Sequence, residues 1–323
     1  MDAVLGLDTS CYTTSAAAVD AQGNVIAFSR LLLPVEAGQR GLRQSEAVFA
    51  HVRQLPQVME SLMTELPTEA TIRAVCASSK PRDEADSYMP VFQTGCSYGR
   101  GIAAALRVPF FETTHQQGHI AAGCIGLPPL DERFLALHLS GGTTELLLCE
   151  NGRLRLVGGS LDLHAGQMVD RVGVRLGLRF PAGPELEKLA MACADPTEAL
   201  LPASLEKDAC YCHLSGAETR AAQLWEKQVC TPERIAAETF DLLARTVSRM
   251  LTAGCKCYQV RQALVVGGVA SSKLLRGLLQ QRLNKLRSPV EVFFGAPRYS
   301  ADNAAGVAKL GLEQYRQWKE HHA

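Results

Sequence analysis

Apolar residues along the chain fall into short runs bounded by Gly, Pro and hydroxyl residues, and one such arrangement occurs twice, about 130 residues apart. The first copy runs Val4-Leu-Gly-Leu-Asp8-Thr9-Ser10-Cys11 into Ala16-Ala-Ala-Val19 and turns at Asp20-Ala-Gln-Gly23. The second runs Phe134-Leu-Ala-Leu-His138-Leu139-Ser140-Gly141-Gly142-Thr143-Thr144-Glu145 into Leu146-Leu-Leu-Cys149 and turns at Glu150-Asn151-Gly152. Runs of this length between turn residues predict two buried strands forming a hairpin, with a Gly turn to a third strand. Loops of Ser, Thr and Gly place backbone N–H groups and hydroxyls where an anion can sit. Self-similarity marks architecture, so two related lobes are expected, their loops facing one another across a cleft as a phosphate clamp. An ordinary hairpin is the plainer reading of either copy taken alone.

The remaining pattern alternates helix and strand. The first lobe is expected over 1–129, with a hairpin over 4–33, a helical stretch over 45–66 interrupted at Pro56, and a short strand over 72–77. A polar loop over 78–86 and a small-residue helix over 90–106 complete it, and Pro128-Pro129 suits a hinge. The second lobe, 130–304, holds a helix over 165–176 and a largely helical stretch over 185–253. Residues 263–272 read as strand, Gly turn and helix start, a form that brings backbone amides up to a ligand. A final helix over 301–318 begins Ala301-Asp302-Asn303, whose carboxylate suits an N-cap, and residues 305–323 are assigned to the first lobe. An α/β fold follows.

Composition narrows the function classes. With 323 residues, 47% of them hydrophobic, the chain has material for two domains. Lys+Arg and Asp+Glu are equal at 33 each, so there is no general attraction for nucleic acid or anionic membrane, and any such contact must come from a local patch. The best patch is Lys273, Arg276, Arg282, Lys285, Arg287 and Arg298, opposed only by Glu291. It suits nucleic-acid phosphates, although a solvated helix face is the plainer reading. No apolar run approaches the roughly 20 residues of a membrane span, and Met1-Asp2 leads into a strand without a signal region, so a cytoplasmic protein without membrane contact is expected. The 11 cysteines include only Cys210-x-Cys212 and Cys255-x-Cys257 as close pairs, which argues against a zinc ribbon.

Candidate chemistry centres on Thr114-His115-Gln116-Gln117-Gly118-His119. Histidines at i and i+4 share one side of a helix, where two imidazoles can meet one metal ion; a plain pair of polar helix residues is the alternative. Asp302 offers an oxygen ligand, but spacing alone does not bring it close. Zinc proteases of the His-Glu-x-x-His type need the Glu as general base, and Gln116 and Gln117 stand here, which weakens a protease reading.

Six segments, taken in order, resemble those of the TsaD family, the threonylcarbamoyl transferases formerly described as O-sialoglycoprotein endopeptidases, within the actin/Hsp70/sugar-kinase (ASKHA) superfamily. They are Leu5-Gly-Leu-Asp-Thr-Ser-Cys11, the His115/His119 pair, Leu139-Ser-Gly-Gly-Thr-Thr-Glu145, Ala165-Gly-Gln-Met-Val-Asp170 with Phe180-Pro-Ala-Gly183-Pro184, Val266-Gly267-Gly268-Val269-Ala270, and Ala301-Asp302-Asn-Ala-Ala305. The resemblance implies a two-lobed ASKHA fold with duplicated RNase H-like lobes. It implies transfer of a threonylcarbamoyl group from threonylcarbamoyl-adenylate, made by another enzyme, to the exocyclic amine of the tRNA adenosine 3′ of the anticodon. By the same resemblance His115, His119 and Asp302 hold one divalent ion, iron or zinc, that polarises a carbonyl or orients a phosphate. Ser140, Gly141 and Gly142 would sit by the phosphate and Asp170 and Gly183 by the ribose and adenine, with His138, Leu139, Gly267, Gly268 and Ser272 also among the nucleotide-binding residues. Thr143 and Cys11 stand in the catalytic loops, although a buried thiol is the plainer reading of Cys11. An exocyclic amine is a poor nucleophile, so positioning and electrostatic stabilisation would carry catalysis. Expected partners are an adenine nucleotide, tRNA, and TsaB-like and TsaE-like proteins.

The chain also departs from that pattern. Tyr12 and Thr13 replace an acidic pair, Thr143 and Thr114 each replace a His, Ser272 replaces an Asn, and Ser79-Lys80-Pro81-Arg82-Asp83 replaces a Gly-Pro-Gly-type loop. Two further readings therefore stand beside the transferase. One is a catalytically weakened paralogue that binds nucleotide or metal as a partner or regulatory subunit; the other is a metal-dependent carbamoyl or phosphoryl transferase acting on a small molecule.

Overall fold

A computed structural model describes residues 1–10, 12–34, 42–84, 86–194, 199–299 and 304–322. The chain divides into two compact units, Met1–Gly126 with Ala301–Ala323, and Leu127–Ser300.

In the first unit β1 (Asp2–Thr9), β2 (Thr13–Asp20) and β3 (Val25–Leu32) form an antiparallel meander, and β4 (Thr71–Lys80) and β5 (Phe110–Thr114) add in parallel beyond β1. The strand order is β3-β2-β1-β4-β5. β1 and β2 are buried on both faces, as the apolar runs 3–7 and 16–19 require. Leu5 and Leu7 of β1 pack with Val58 and Leu62 of α1 (Gln44–Glu65) and with Ala103 of α2 (Pro90–Leu106). Gly6 between them points the other way, because side chains alternate along a strand. A methyl group on Gly6 would overlap the backbone of Ala308 in the C-terminal helix, Ala305–His322. That helix also meets α3 (His115–Gly123), where a methyl on Gly306 would overlap the Gly118 carbonyl. Contrary to the expected interruption, α1 runs through Pro56. Pro56 lies on the exposed face, where water can satisfy the carbonyl that loses its partner.

The second unit repeats this plan with β6 (Arg133–Leu139), β7 (Thr144–Glu150) and β8 (Arg153–Ser160) as the meander. After it come α4 (Ala165–Arg175), α5 (Gly183–Met191), β9 (Ser204–Leu205), β10 (Tyr211–His213), α6 (Ser215–Glu226), α7 (Pro232–Tyr258), β11 (Gln262–Val266), α8 (Lys273–Lys285) and β12 (Glu291–Phe294). The sheet order is β12-β11-β6-β7-β8-β10-β9. Apart from the β10-β9 extension, order and strand directions match the first unit. The turn joining the two leading strands is duplicated to the atom: Ser10 N–H donates to the Thr13 carbonyl at 3.2 Å, and Ser140 N–H to the Thr143 carbonyl at 2.8 Å.

The helical stretch expected over 185–253 is broken by β9 and β10, since the Cys212 side chain enters the second unit's core and draws the segment into the sheet edge. The last helix begins at Ala305 and ends at His322; residues 301–303 lie outside the described ones. Burial pushes the Cys96 and Cys255 thiols up to about 12, so both serve as small apolar core residues.

α7 carries a buried ion-pair network. Asp241 accepts from Arg245 Nε at 2.8 Å and from Arg282 Nη2 at 2.5 Å, while Arg245 Nη2 donates to the Leu201 carbonyl at 2.8 Å. Arg276 donates to the carbonyls of Ala270 at 2.6 Å and Gly295 at 2.8 Å. Two of the six cations in the basic patch are therefore committed to internal contacts.

Candidate functional site

Within the second unit a cavity of about 390 Å³ opens between α4, α5 and the turn that follows β11. β11 ends at Val266, and Gly267 takes φ +102°. A side chain there would overlap the Leu139 carbonyl and the His138 ring, so only glycine lets this turn approach the end of β6. At the start of α4, a methyl on Gly166 would strike Gly141 and the Ser140 carbonyl. Gly166 N–H instead donates to the Ser140 carbonyl at 3.1 Å, and Ala165 N–H to Thr144 Oγ1 at 2.8 Å. The hairpin thus occupies the first amides of α4, whereas Gly141 and Gly142 are exposed with open space beside them.

The start of α8 is likewise filled from within. Glu187 Oε1 accepts from Leu274 N–H at 2.8 Å and from Ser272 Oγ at 3.0 Å, and Ser272 Oγ accepts from Leu275 N–H at 3.0 Å. A carboxylate at a helix N-terminus takes the place an external phosphate would otherwise occupy. The second carboxylate of the wall, Asp170, accepts from Ala182 N–H at 2.8 Å through Oδ1. Val169, Pro181, Pro184, Phe240 and Val269 make the rest of the wall apolar. Carboxylates accept several hydrogen bonds each, so the cavity suits a hydroxyl-bearing, flat, uncharged group, and an anion is better placed at the exposed Gly141-Gly142 backbone.

Gly141, Asp170, Gly183, Gly268 and Ser272 all line this one cavity. Ser140, Gly142 and Gly267 belong to the same loops without forming its wall. His138 is buried, and the Leu139 side chain is part of the core. Thr143 is half-buried and closes the turn through its carbonyl. Glu187 is the wall residue that sequence reasoning misses; its place one turn beyond Gly183 on a helix is the available signal.

The first unit holds the imidazole pair. Thr114 caps α3: its Oγ1 accepts from Gln117 N–H at 3.1 Å, and Gln117 Oε1 accepts from Thr114 N–H at 3.0 Å. This reciprocal cap gives Thr114 and Gln117 a structural task. His115 and His119 share a face, with their Nε2 atoms 3.0 Å apart. His115 Nδ1 lies 3.0 Å from Oδ1 of the fully buried Asp8, which also accepts from Ser78 Oγ. Among the described residues no three such side chains are arranged to hold an ion; Asp302 and Cys11 lie outside them. Two converging imidazole nitrogens next to a buried carboxylate still form a donor set that fits iron or zinc.

Ser10, at the first turn, is tied to α1. His51 is buried, with Nε2 2.8 Å from the Ser10 carbonyl and Nδ1 2.8 Å from Thr14 Oγ1. A carbonyl only accepts, so Nε2 carries a proton, while Nδ1 and Gln54 Oε1, 2.7 Å from the same Thr14 hydroxyl, compete for its one hydrogen. Burial holds the His51 pKa below its usual 6.5, against the opposing pull of the Ser10 carbonyl and Asp8. The unfolded chain therefore takes up this proton first as pH falls. The stabilisation from His51 is complete above about pH 7 and is lost as pH drops through and below about 6.5. The urea midpoint is expected to fall between about pH 7 and pH 5, and to fall less in His51→Gln; parallel profiles would contradict a neutral His51. Of the two residues in the acidic-pair positions, Tyr12 is exposed, and Thr13 is buried where β2 pairs with β3.

The family model for tRNA N6-adenosine threonylcarbamoyltransferase (TsaD) matches residues 35–309. Among solved structures, the activator of the 2-hydroxyisocaproyl-CoA dehydratase from Clostridium difficile with bound ADPNP is 15% identical, covering 99% of this chain and 97% of that one, with a TM-score of 0.55. A ROK family glucokinase from Streptomyces griseus in complex with glucose and AMPPNP is 12% identical, covering 96% and 99%, with a TM-score of 0.54. Full-length HypF in its phosphate- and nucleotide-bound form is 13% identical, covering 98% of this chain and 55% of that one, with a TM-score of 0.61. At such identities the likeness concerns the fold, a two-lobed α/β architecture of the ASKHA type.

Proposed function

Because the chain belongs to the TsaD family of tRNA N6-adenosine threonylcarbamoyltransferases, we propose that it moves a threonylcarbamoyl group from threonylcarbamoyl-adenylate to the exocyclic amine of the tRNA adenosine 3′ of the anticodon. The observation that carries this reading, beyond membership, is the wall of the second unit's cavity. Asp170 and Glu187 face a space bounded by Val169, Pro184 and Phe240, where ribose hydroxyls would donate to the carboxylates and adenine would lie against apolar surface. The exposed Gly141-Gly142 amides would receive the adenylate phosphate. An iron or zinc ion on His115, His119 and Asp302 would supply Lewis-acid polarisation of a carbonyl or orientation of a phosphate. The protein's own contribution is to hold the donor in one orientation, which is what a weakly nucleophilic amine needs.

A second reading, a weakened paralogue acting as a partner or regulatory subunit, is favoured by the acidic-pair positions. Thr13 sits inside a sheet, where a carboxylate would be costly to bury, and Tyr12 puts no negative charge in its place. The test supplies threonylcarbamoyl-adenylate, unmodified tRNA, and TsaB-like and TsaE-like partners, and measures threonylcarbamoyladenosine by nucleoside mass spectrometry. Slow product formation is expected, at least about 10-fold below a family member with the acidic pair, with a rise in Tyr12→Asp/Thr143→His. Absence of product from both proteins, with nucleotide still bound, would overturn the transferase reading in favour of the second.

A further inference from the structure

We propose that Asp8 is a positioning residue for the metal centre: it fixes the tautomer and ring orientation of His115, so that His115 Nε2 is presented as a ligand toward His119. The proposal rests on the reading of His115 and His119 as ligands given above. Asp8 is the last residue but one of β1, and Ser78 lies on the adjacent parallel strand β4, whose register pairs Leu7 with Ala77. The two side chains therefore meet on the sheet itself, and Ser78 Oγ donates to Asp8 Oδ1. The same oxygen lies 3.0 Å from His115 Nδ1, across 107 residues of sequence. A carboxylate can only accept, so Nδ1 carries the hydrogen, and in the neutral ring Nε2 keeps its lone pair. That lone pair is aimed at His119 Nε2, 3.0 Å away, and the Phe92 ring, centred 5.6 Å from that of His115, confines the imidazole.

Burial makes the arrangement more than an incidental contact. Asp8 is fully buried, and its Oδ2 has no hydrogen-bond partner among the described residues. A carboxylate held this way costs stability, so its retention calls for a use. Anchoring on two paired strands gives the imidazole a fixed aim that a loop residue would not, and carboxylate partners of metal-bound histidines typically carry about 10- to 100-fold in metal affinity.

The test measures zinc affinity by chelator competition on the whole chain, together with the 15N signals of His115 in the metal-free protein. Wild type is expected to show the Nδ1–H tautomer. Asp8→Asn keeps the volume but can turn its amide N–H toward Nδ1; it is expected to bind zinc about 10- to 100-fold more weakly and to shift His115 toward Nε2–H. His115→Ala is expected to lose zinc. If His115→Ala binds zinc as wild type does, the metal-centre reading itself fails. If His115→Ala loses zinc while Asp8→Asn retains wild-type affinity, or loses affinity with the tautomer unchanged, the metal reading stands and the positioning role is overturned. The wild-type tautomer decides even where Asp8→Asn does not fold, because an Nε2–H form of His115 in the unaltered protein excludes the role.

Discussion

Replacing Asp170 by Asn and Glu187 by Gln together is expected to weaken AMP binding by about 100-fold or more. Hydrogen bonds to charged groups contribute about 1.5–3 kcal/mol each, and 1.4 kcal/mol is tenfold in affinity. Both substitutions keep side-chain volume, and both keep the internal bonds that the carboxylates now make. After Asp170→Asn the amide oxygen can still accept from Ala182 N–H, and after Glu187→Gln it can still accept from Leu274 N–H. What changes is the remaining valence toward the cavity, which turns from acceptor to donor and no longer matches a ribose hydroxyl offering its proton. Calorimetric titration of wild type and double variant measures the difference, with thermal unfolding as the check on the fold. Equal affinity in the two proteins would mean that the nucleotide does not use this cavity.

Gly306→Val is expected to destabilise the first unit by about 4 kcal/mol or more, the range reached when a buried contact cannot relax. The side chain would be driven into the Gly118 carbonyl and the Ala122 amide, both backbone atoms of α3, and backbone cannot rotate aside as a side chain can. For a unit of this size the unfolding temperature should fall by on the order of 10 °C. Gly277→Ala supplies the control: Gly277 lies within α8 with open space around it, so alanine should be neutral or stabilise by up to about 1 kcal/mol. A shift of only about 2–3 °C in Gly306→Val would show that the C-terminal helix can move off α3 at little cost.

The parts of the fold that are legible in the sequence are those where one local pattern suffices. The paired hairpins are readable because uninterrupted apolar runs such as Val4 to Leu7 have one outcome in a covered sheet. The imidazole pair is readable because i, i+4 spacing acts within a single helix. What stays hidden depends on partners far along the chain. Nothing near Arg276 or Arg282 tells that one holds backbone carbonyls and the other Asp241, so both count as surface charge until the fold is seen. β9 and β10 have two and three residues, too few to show a period; the alternation Cys210-x-Cys212 is their only trace. Glu187 and Asp8 read as ordinary carboxylates until the fold sets one at the start of α8 and the other behind His115.

During synthesis the stretch Leu127–Ser300 leaves the ribosome whole, while Met1–Gly126 must wait for the helix Ala305–His322 to cover β1 and α3. The usual vectorial order, amino-terminal unit first, is therefore inverted for this chain: the later unit holds all its own residues before the earlier one can close. α3 carries the two imidazoles, and its Gly118 backbone rests against Gly306 and Val307. A chain cut before Ala305 lacks the surface that sets α3 in place, so a stalled or clipped product is expected to fold the cavity of the second unit while leaving α3, and the two imidazoles it carries, without their support.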